Sequence, residues 1–218
     1  MLREDVKLPD SSIQLRAAMM DDISRICVLH GAAFEGFFLT SLGPAFLRQL
    51  YAAFIAEDAG YCFVAEDENE ILGFVAGTSD PENFFRTIRK KNLIRFAVAA
   101  LPGLLKNPLF VARKCFSALT YKGEPVPELR GAALLSSLAV DPSASGKGVG
   151  GALVHEFCER MKRAGNASVY LTTDADENDR VNGFYEKCGF QLEDSFVRPG
   201  NRIMNRWVKN VKDQVAKQ

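Results

Sequence analysis

Four of the six residues from Gly146 to Gly151 are glycine, in the order Gly-Lys-Gly-Val-Gly-Gly. The run lies between an apolar stretch ending at Val140 and an amphipathic stretch, Val149–Arg163, with the period of a helix. A helix start exposes amide N–H groups that have no intrahelical acceptor, and its dipole favours negative charge. With glycines there, no side chain blocks the approach, so the loop suits a pyrophosphate, and Lys147 offers a cation. Gly146-x-Gly148-x-x-Gly151 also fits a dinucleotide pattern, with Asp174 and Asp176 placed like a ribose-binding acid. Against a dinucleotide, Asp141 to Ser145 separate the strand from the first glycine, and the chain ends in a strand pair rather than a second mononucleotide half. Tight helix packing alone is the third explanation.

The elements that must position this loop follow from periodicity and punctuation. Ser12–Ala17 alternates as a short strand, and Asp21 and Asp22 are N-cap candidates for a helix through Ile23, Ile26, Leu29, His30 and Ala33. After a glycine- and aromatic-rich turn, a second helix carries Phe46, Leu50 and Phe54 on one face. Gly60–Glu66 and Ile71–Thr78 are two strands joined by a polar hairpin connection. Helical periodicity occupies residues 83–122, divided at Pro102-Gly103 and Pro108, before a long strand, Leu129–Val140, that Asp141-Pro142 ends. Beyond the glycine loop come a helix closed by Gly165, a strand Ser168–Thr173, a helix Glu177–Lys187, and a strand pair, Phe190–Val197 with Arg202–Val208. This order indicates an α/β chain with a mixed sheet and helices on its faces.

A second constellation lies downstream of the loop: Asn178-Asp179-Arg180-Val181-Asn182-Gly183-Phe184-Tyr185-Glu186-Lys187-Cys188-Gly189-Phe190. The two segments together resemble the GNAT superfamily of N-acetyltransferases. Ser145-Gly146-Lys147-Gly148-Val149-Gly150 fills that family's R/Q-x-x-G-x-G/A frame, after Leu138-Ala139-Val140-Asp141-Pro142. Residues 178–190 resemble its N-x-x-A-x-x-F-Y-x-x-x-G-F ending, with Val181 in place of alanine. The resemblance is specific over about residues 130–195. Ser145 stands where the family has Arg or Gln; because backbone N–H groups make most of the pyrophosphate contacts, binding is expected to be weakened rather than lost.

The resemblance implies a single domain over residues 1–218, with a central mixed, mostly antiparallel sheet flanked by helices and a helical insertion before the acetyl-CoA-binding strand. It implies acetyl-CoA as the acetyl donor, with no metal. Leu138, Ala139, Val140, Ser145, Gly146, Lys147, Gly148, Val149, Gly150, Gly151 and Asn178 are then the acetyl-CoA-binding residues. Backbone groups of Leu138 and Val140 would bond to pantetheine in a gap beside the strand Ser168–Thr173. An N–H near Leu138 would polarise the thioester carbonyl, and Asn178 would hold the pantetheine arm. Tyr185 would protonate the departing thiolate, its phenol being protonated at neutral pH with an ordinary pKa of about 10. No general base stands out: the strand offers Ser136 and Ser137, while Glu35, Glu128, Asp174 and Asp176 read as surface acids.

Between Asn83 and Lys122 lie nine Lys or Arg residues and no Asp or Glu, interleaved with apolar residues from Phe84 to Phe116. This is either a helical cap with a solvated basic face or a surface that attracts an anionic acceptor or membrane. Together with Phe37-Phe38-Leu39-Thr40-Ser41-Leu42-Gly43, the sequence faintly resembles GNAT members of surface-polysaccharide synthesis, which implies an amino-sugar or nucleotide-linked amino-sugar acceptor. A GNAT-fold module that senses acyl-CoA or docks a partner without turnover is the alternative.

The 27 basic and 27 acidic residues balance, so net charge says nothing about nucleic acid or a membrane; no nucleic-acid partner is expected. Five scattered cysteines, Cys27, Cys62, Cys115, Cys158 and Cys188, fit reduced thiols in a cytoplasmic protein, and two histidines are too few for a His-based metal site. Phe96 to Leu105, the longest apolar stretch, is too short to cross a bilayer. The oligomeric state is open, a homodimer included.

Overall fold

The computed structural model describes residues 6–7, 12–106, 129–198 and 201–212. Alternating apolar segments form strands wherever two of them can pair, and here they build one sheet. In chain order the elements are β1 (Val6–Lys7), β2 (Gln14–Ala17), α1 (Ile23–Ala33), α2 (Phe38–Ser41), α3 (Pro44–Ala56), β3 (Gly60–Asp67), β4 (Glu70–Thr78) and α4 (Pro81–Lys106). Then follow β5 (Ala133–Val140), α5 (Val149–Arg163), β6 (Ser168–Asp174), α6 (Asp179–Lys187), β7 (Gln191–Arg198) and β8 (Arg202–Asn210). The strand order is β1-β2-β3-β4-β5-β6-β8-β7. Every neighbouring pair is antiparallel except β5 with β6. The mixed sheet expected from the element order is therefore present, mostly antiparallel as the resemblance implied, and the described strands do not form the doubly wound parallel sheet of a dinucleotide-binding fold.

The sheet is covered on both faces. On one face α5 buries Val149, Leu153, Val154, Phe157, Cys158 and Met161 against Phe63, Val75, Leu135, Val169 and Leu171. On the other, α1, α3 and α4 bury Ile26, Leu47, Leu50, Tyr51, Phe54 and Phe84 against Val64, Phe74, Ala76 and Ala139. The β5 strand contributes to both cores. Leu135 belongs to the α5 face and Ala139 to the α1/α3 face, although both positions are odd. The change of side comes from a bulge: Leu135 pairs with Gly77 and Ser137 with Ala76, so Ser136 is the extra residue.

Several boundaries differ from the sequence expectations for local reasons. The long strand starts at Ala133 rather than Leu129, because Gly131 takes a left-handed φ of 79° in a turn. The helix placed at Glu177 begins at Asp179, since Glu177 itself has φ 52°. Asp22 does not cap α1 with its side chain. Its carboxylate instead accepts from the Met19 amide at 2.6 Å and from Arg16 at 2.7 Å, fixing the strand-to-helix turn. The division expected at Pro102-Gly103 is absent: α4 runs on to Lys106, as a proline removes one helical hydrogen bond without having to end the helix. The remainder of that basic segment, from 107 to 122, lies outside the described residues, as do Cys115 and Glu128.

Helix α4 is amphipathic only in its first half. Phe84 stacks on Phe54 with centroids 4.8 Å apart, and Ile88 is buried with it. Further along, Leu93, Ile94, Val98 and Leu101 are exposed. Its basic face is partly neutralised, Lys91 pairing with Glu57 at 2.7 Å and Arg86 lying 4.0 Å from Glu82. Among the described residues, no helix is long and apolar enough to cross a membrane.

Candidate active site

The glycine loop takes its shape from the end of β5. Asp141 accepts from the Ser143 amide at 3.0 Å and the Ser143 hydroxyl at 2.7 Å, forming a tight turn over Pro142–Ala144. Its second oxygen accepts from Arg25 of α1 at 2.8 Å. These donors, Ser143 first and Arg25 after, hold the Asp141 carboxyl below the usual carboxylate range. Gly146 and Gly148 then adopt φ of 80° and 77°, a region that disfavours any side chain, and Gly148 is the N-cap of α5. The first helical acceptor is reached by Ala152, whose amide donates to Gly148 O at 3.0 Å. The amides of Val149, Gly150 and Gly151 precede it and point out of the helix start. Ser145, Gly146, Lys147 and Gly148 are exposed.

Two further glycines at this helix start behave differently. A Cβ on Gly150 would meet the Phe184 ring at 3.3 Å, so this glycine lets α6 pack close to α5. A Cβ on Gly151 would meet nothing within 4 Å, and its φ is not left-handed. Among the described residues, no contact therefore requires glycine at 151. A glycine inside a helix costs about 0.5–1 kcal/mol relative to alanine, and open space above it fits a ligand lying against the backbone.

The β5 strand supplies the second part of the site. It pairs with β6 only at Ala133–Val169 and Leu134–Tyr170, after which the two strands diverge. Among the described residues, the outer edge of β5 from Leu135 to Val140 is thus left without a partner strand. Which backbone groups face that gap follows from alternation. The Asp141 amide donates to Leu72 O on β4, so the polar groups of Leu138 and Val140 point the other way, into the gap. Ala139, also expected at this site, directs its backbone to β4 and its side chain into the α1/α3 core.

The far wall of the gap is set by a polar network at the end of β6. Trp207 Nε1 donates to Thr173 Oγ1 at 2.9 Å, and Thr173 donates to Asn182 Oδ1 at 2.6 Å. Asn182 and Asn178 both donate their amides to Asp174 O at 3.2 Å. Helix α6 is thereby anchored to β6, with Asn178 at its N-cap. Tyr185, two turns further on, is 7% exposed between Phe184 and Phe190, with ring centroids at 5.1 and 5.7 Å. Burial, with Cys188 adding to it, pushes its hydroxyl well above the ordinary phenol range.

The acids considered as bases separate clearly. Asp174 is bound by the Arg202 guanidinium, which also lies 4.9 Å from the Phe37 ring. Glu35 and Asp176 are exposed. What the sequence did not disclose is a buried polar pair on the opposite face. His30 Nδ1 lies 2.5 Å from Tyr51 Oη, and both residues are buried. The signal available was faint: a hydroxyl within the apolar stripe of α3 and a histidine on the apolar face of α1, each needing a partner.

Comparison with known proteins bears on this geometry directly. Residues 118–190 match the family model described as Acetyltransferase (GNAT) family, a segment that holds β5, the glycine loop, α5, β6 and α6. That segment, a third of the chain, is similar to a GNAT acetyltransferase domain. The chain's fold is that of solved GNAT structures. An N-acetyltransferase from Staphylococcus aureus Mu50 shares 16% identity, covering 93% of this chain and 100% of its own, with a TM-score of 0.60. Ard1 from Thermoplasma volcanium shares 16%, covering 93% and 100%, with a TM-score of 0.61. The spermidine/spermine N-acetyltransferase SpeG from Vibrio cholerae, in mutant form, shares 18%, covering 91% and 95%, with a TM-score of 0.54. No curated protein matches the chain. The GNAT family uses acetyl-CoA as co-substrate, and the acyltransferase chemistry expected from the two motifs stands on this match.

Proposed function

We propose that the protein transfers the acetyl group of acetyl-CoA to a primary amine of a small-molecule acceptor, by direct attack of the amine on the thioester. The observation that carries this reading is the unpaired edge of β5 beside the exposed helix start of α5. The amides of Val149, Gly150 and Gly151 hold the diphosphate, with Ser145, Gly146, Lys147 and Gly148 forming the loop around it. Leu138 and Val140 hydrogen-bond pantetheine as a further strand would, and Asn178 steadies the arm from the α6 side. The Leu138 N–H stabilises the oxyanion that develops at the thioester carbonyl. Tyr185 donates its proton to the leaving thiolate; burial keeps the phenol protonated across the physiological range.

For the acceptor we favour an amino sugar, free or nucleotide-linked, supported by the sequence likeness around Phe37–Gly43 and by the basic face of α4. The test is an acceptor screen following release of free CoA, with amino sugars, nucleotide-linked amino sugars, polyamines and peptide N-termini as separate arms. Calorimetry with acetyl-CoA runs beside it. Binding with CoA release is the expected result. Binding with no release to any amine would make the protein an acyl-CoA-sensing module, and no binding at all would end the reading.

A further inference from the structure

Strand β7 ends the sheet on one side, and among the described residues no strand pairs with its outer edge. None of its residues from Gln191 to Arg198 is buried, and Leu192 and Val197 are 52% and 64% exposed. A bulge at Glu193, where pairing passes from Leu192–Trp207 to Asp194–Arg206, leaves Asp194 to Arg198 as the regular part of this edge. A row of unpaired N–H and C=O groups is a template for a further strand.

The ladder fixes which groups this edge offers. The Ala175 amide donates to Ile203 O, so Ile203 and Asn205 direct their backbone to β6, while Arg202, Met204 and Arg206 direct theirs to β7. Arg198, Phe196 and Asp194, which lie opposite those three, therefore bond within the hairpin. Ser195 and Val197 turn their N–H and C=O groups outward. The side chains of Asp194, Phe196 and Arg198 share one face of the sheet, where Arg198 and Arg206 lie 5.6 and 4.8 Å from the Phe196 ring. Asp194 accepts from Arg206 at 3.1 Å, yet its side chain is 45% exposed.

We propose that the outer edge of β7 is a dimer interface, filled by the β7 strand of a second copy of this chain, antiparallel about a two-fold axis at Phe196. In this register Ser195 lies opposite Val197 of the second copy, and each such pair exchanges its backbone hydrogen bonds. Every outward group between Asp194 and Arg198 is then satisfied. Asp194 stands opposite Arg198 of the second copy on both sides of the axis, and the Phe196 rings meet between these pairs. A two-fold interface needs a patch complementary to itself, and Asp-x-Phe-x-Arg has opposite charges at equal distances from its centre.

Neighbouring registers fail on the same groups. An axis at Asp194 sets two carboxylates against each other. An axis at Ser195 places Asp194 against Phe196 and Arg198 against Leu192, beyond the bulge. An axis at Val197 opposes Ser195 to Pro199, which has no N–H to donate. An axis between residues would pair side chains from opposite faces of the sheet. The interface is separate from the proposed chemistry, because the gap between β5 and β6 lies inward of both β8 and β7.

The experiment follows the mass of the full chain by analytical ultracentrifugation over a concentration series, with circular dichroism on the same samples. The unmodified protein should form dimers. Arg198→Asp, which keeps the Asp194–Arg206 pair, and Asp194→Arg each turn both cross-axis pairs into like charges. Each should raise the dimer dissociation constant about tenfold. An equimolar mixture of the two variants restores opposite charges at both positions and should form heterodimers as tightly as the unmodified protein. Val197→Pro removes an outward N–H and no bond of the hairpin, so it should abolish dimers with the dichroism unchanged. If Asp194→Arg fails to fold, Arg198→Asp and Val197→Pro decide. A monomer at every concentration would overturn the interface and leave the edge to an extended segment of another protein. Dimers unaffected by Arg198→Asp and Val197→Pro would put the contact on another face, and folded variants that stay monomeric when mixed would refute the register.

Discussion

The ring of Phe184 fills the space that a side chain at position 150 would occupy, its Cζ lying 3.3 Å from a Cβ built on Gly150. Through this contact the start of α5, whose amides are proposed to hold the diphosphate, is set against α6, which carries Tyr185. A β-branched residue at 150 must push the ring away. We expect Gly150→Val to destabilise the fold by about 1–3 kcal/mol, read from the urea midpoint. Combining it with Phe184→Leu should recover part of the loss, because the two positions share one contact. Independent, additive effects would show that the helices are not coupled here.

The neighbouring glycine should behave in the opposite way. Gly151 has open space around its missing Cβ and lies inside α5. Alanine there should stabilise the free protein by about 0.5–1 kcal/mol. The same methyl group intrudes where the diphosphate of acetyl-CoA is proposed to lie. Gly151→Ala is thus expected to raise the melting temperature while weakening acetyl-CoA binding several-fold, measured by calorimetry. Higher stability with unchanged affinity would move the diphosphate elsewhere.

The contrast between these two glycines marks what a sequence can disclose. Their density announced an anion site, but only the packing of Phe184 separates the one needed for helix contact from the one left open. Strands and helices were legible because alternation and helical period are local, as at β3, β4 and α5. The bulge at Ser136 was not, since it exists only in the pairing of β5 with β4. Nor was the divergence of β5 from β6, which the family resemblance implied and no periodicity could. The His30–Tyr51 bond joins residues 21 positions apart on different helices, so neither residue looked unusual alone.

Removal of the Tyr185 hydroxyl should touch chemistry and not binding. Tyr185→Phe keeps the ring that packs on Phe184 and Phe190 and loses only the proton donor. A thiolate is a good leaving group, so the expected fall in kcat is at the low end for acid catalysis, about tenfold to a hundredfold. Because burial raises the phenol well above its ordinary value, the contribution should persist to at least pH 9. An unchanged kcat would reassign Tyr185 to packing alone.

Burying His30 as a neutral ring also makes stability depend on pH, in a direction fixed by the sign of its shift. In the unfolded chain an imidazole titrates near its model value of 6.5, whereas burial lowers it to about 4 in the fold. Below the first value the unfolded state binds a proton that the folded state refuses, so acid favours unfolding. The loss should begin as pH falls through 6.5 and level off near 4, reaching on the order of 3 kcal/mol from this group. Asp141, whose carboxyl is lowered, adds a loss of the same sign only at more acidic pH. Urea denaturation between pH 7 and 4 should therefore show a shallower slope for His30→Gln than for the unmodified protein. Parallel slopes would mean that the imidazole titrates alike in the folded and unfolded states, so that burial does not hold it neutral.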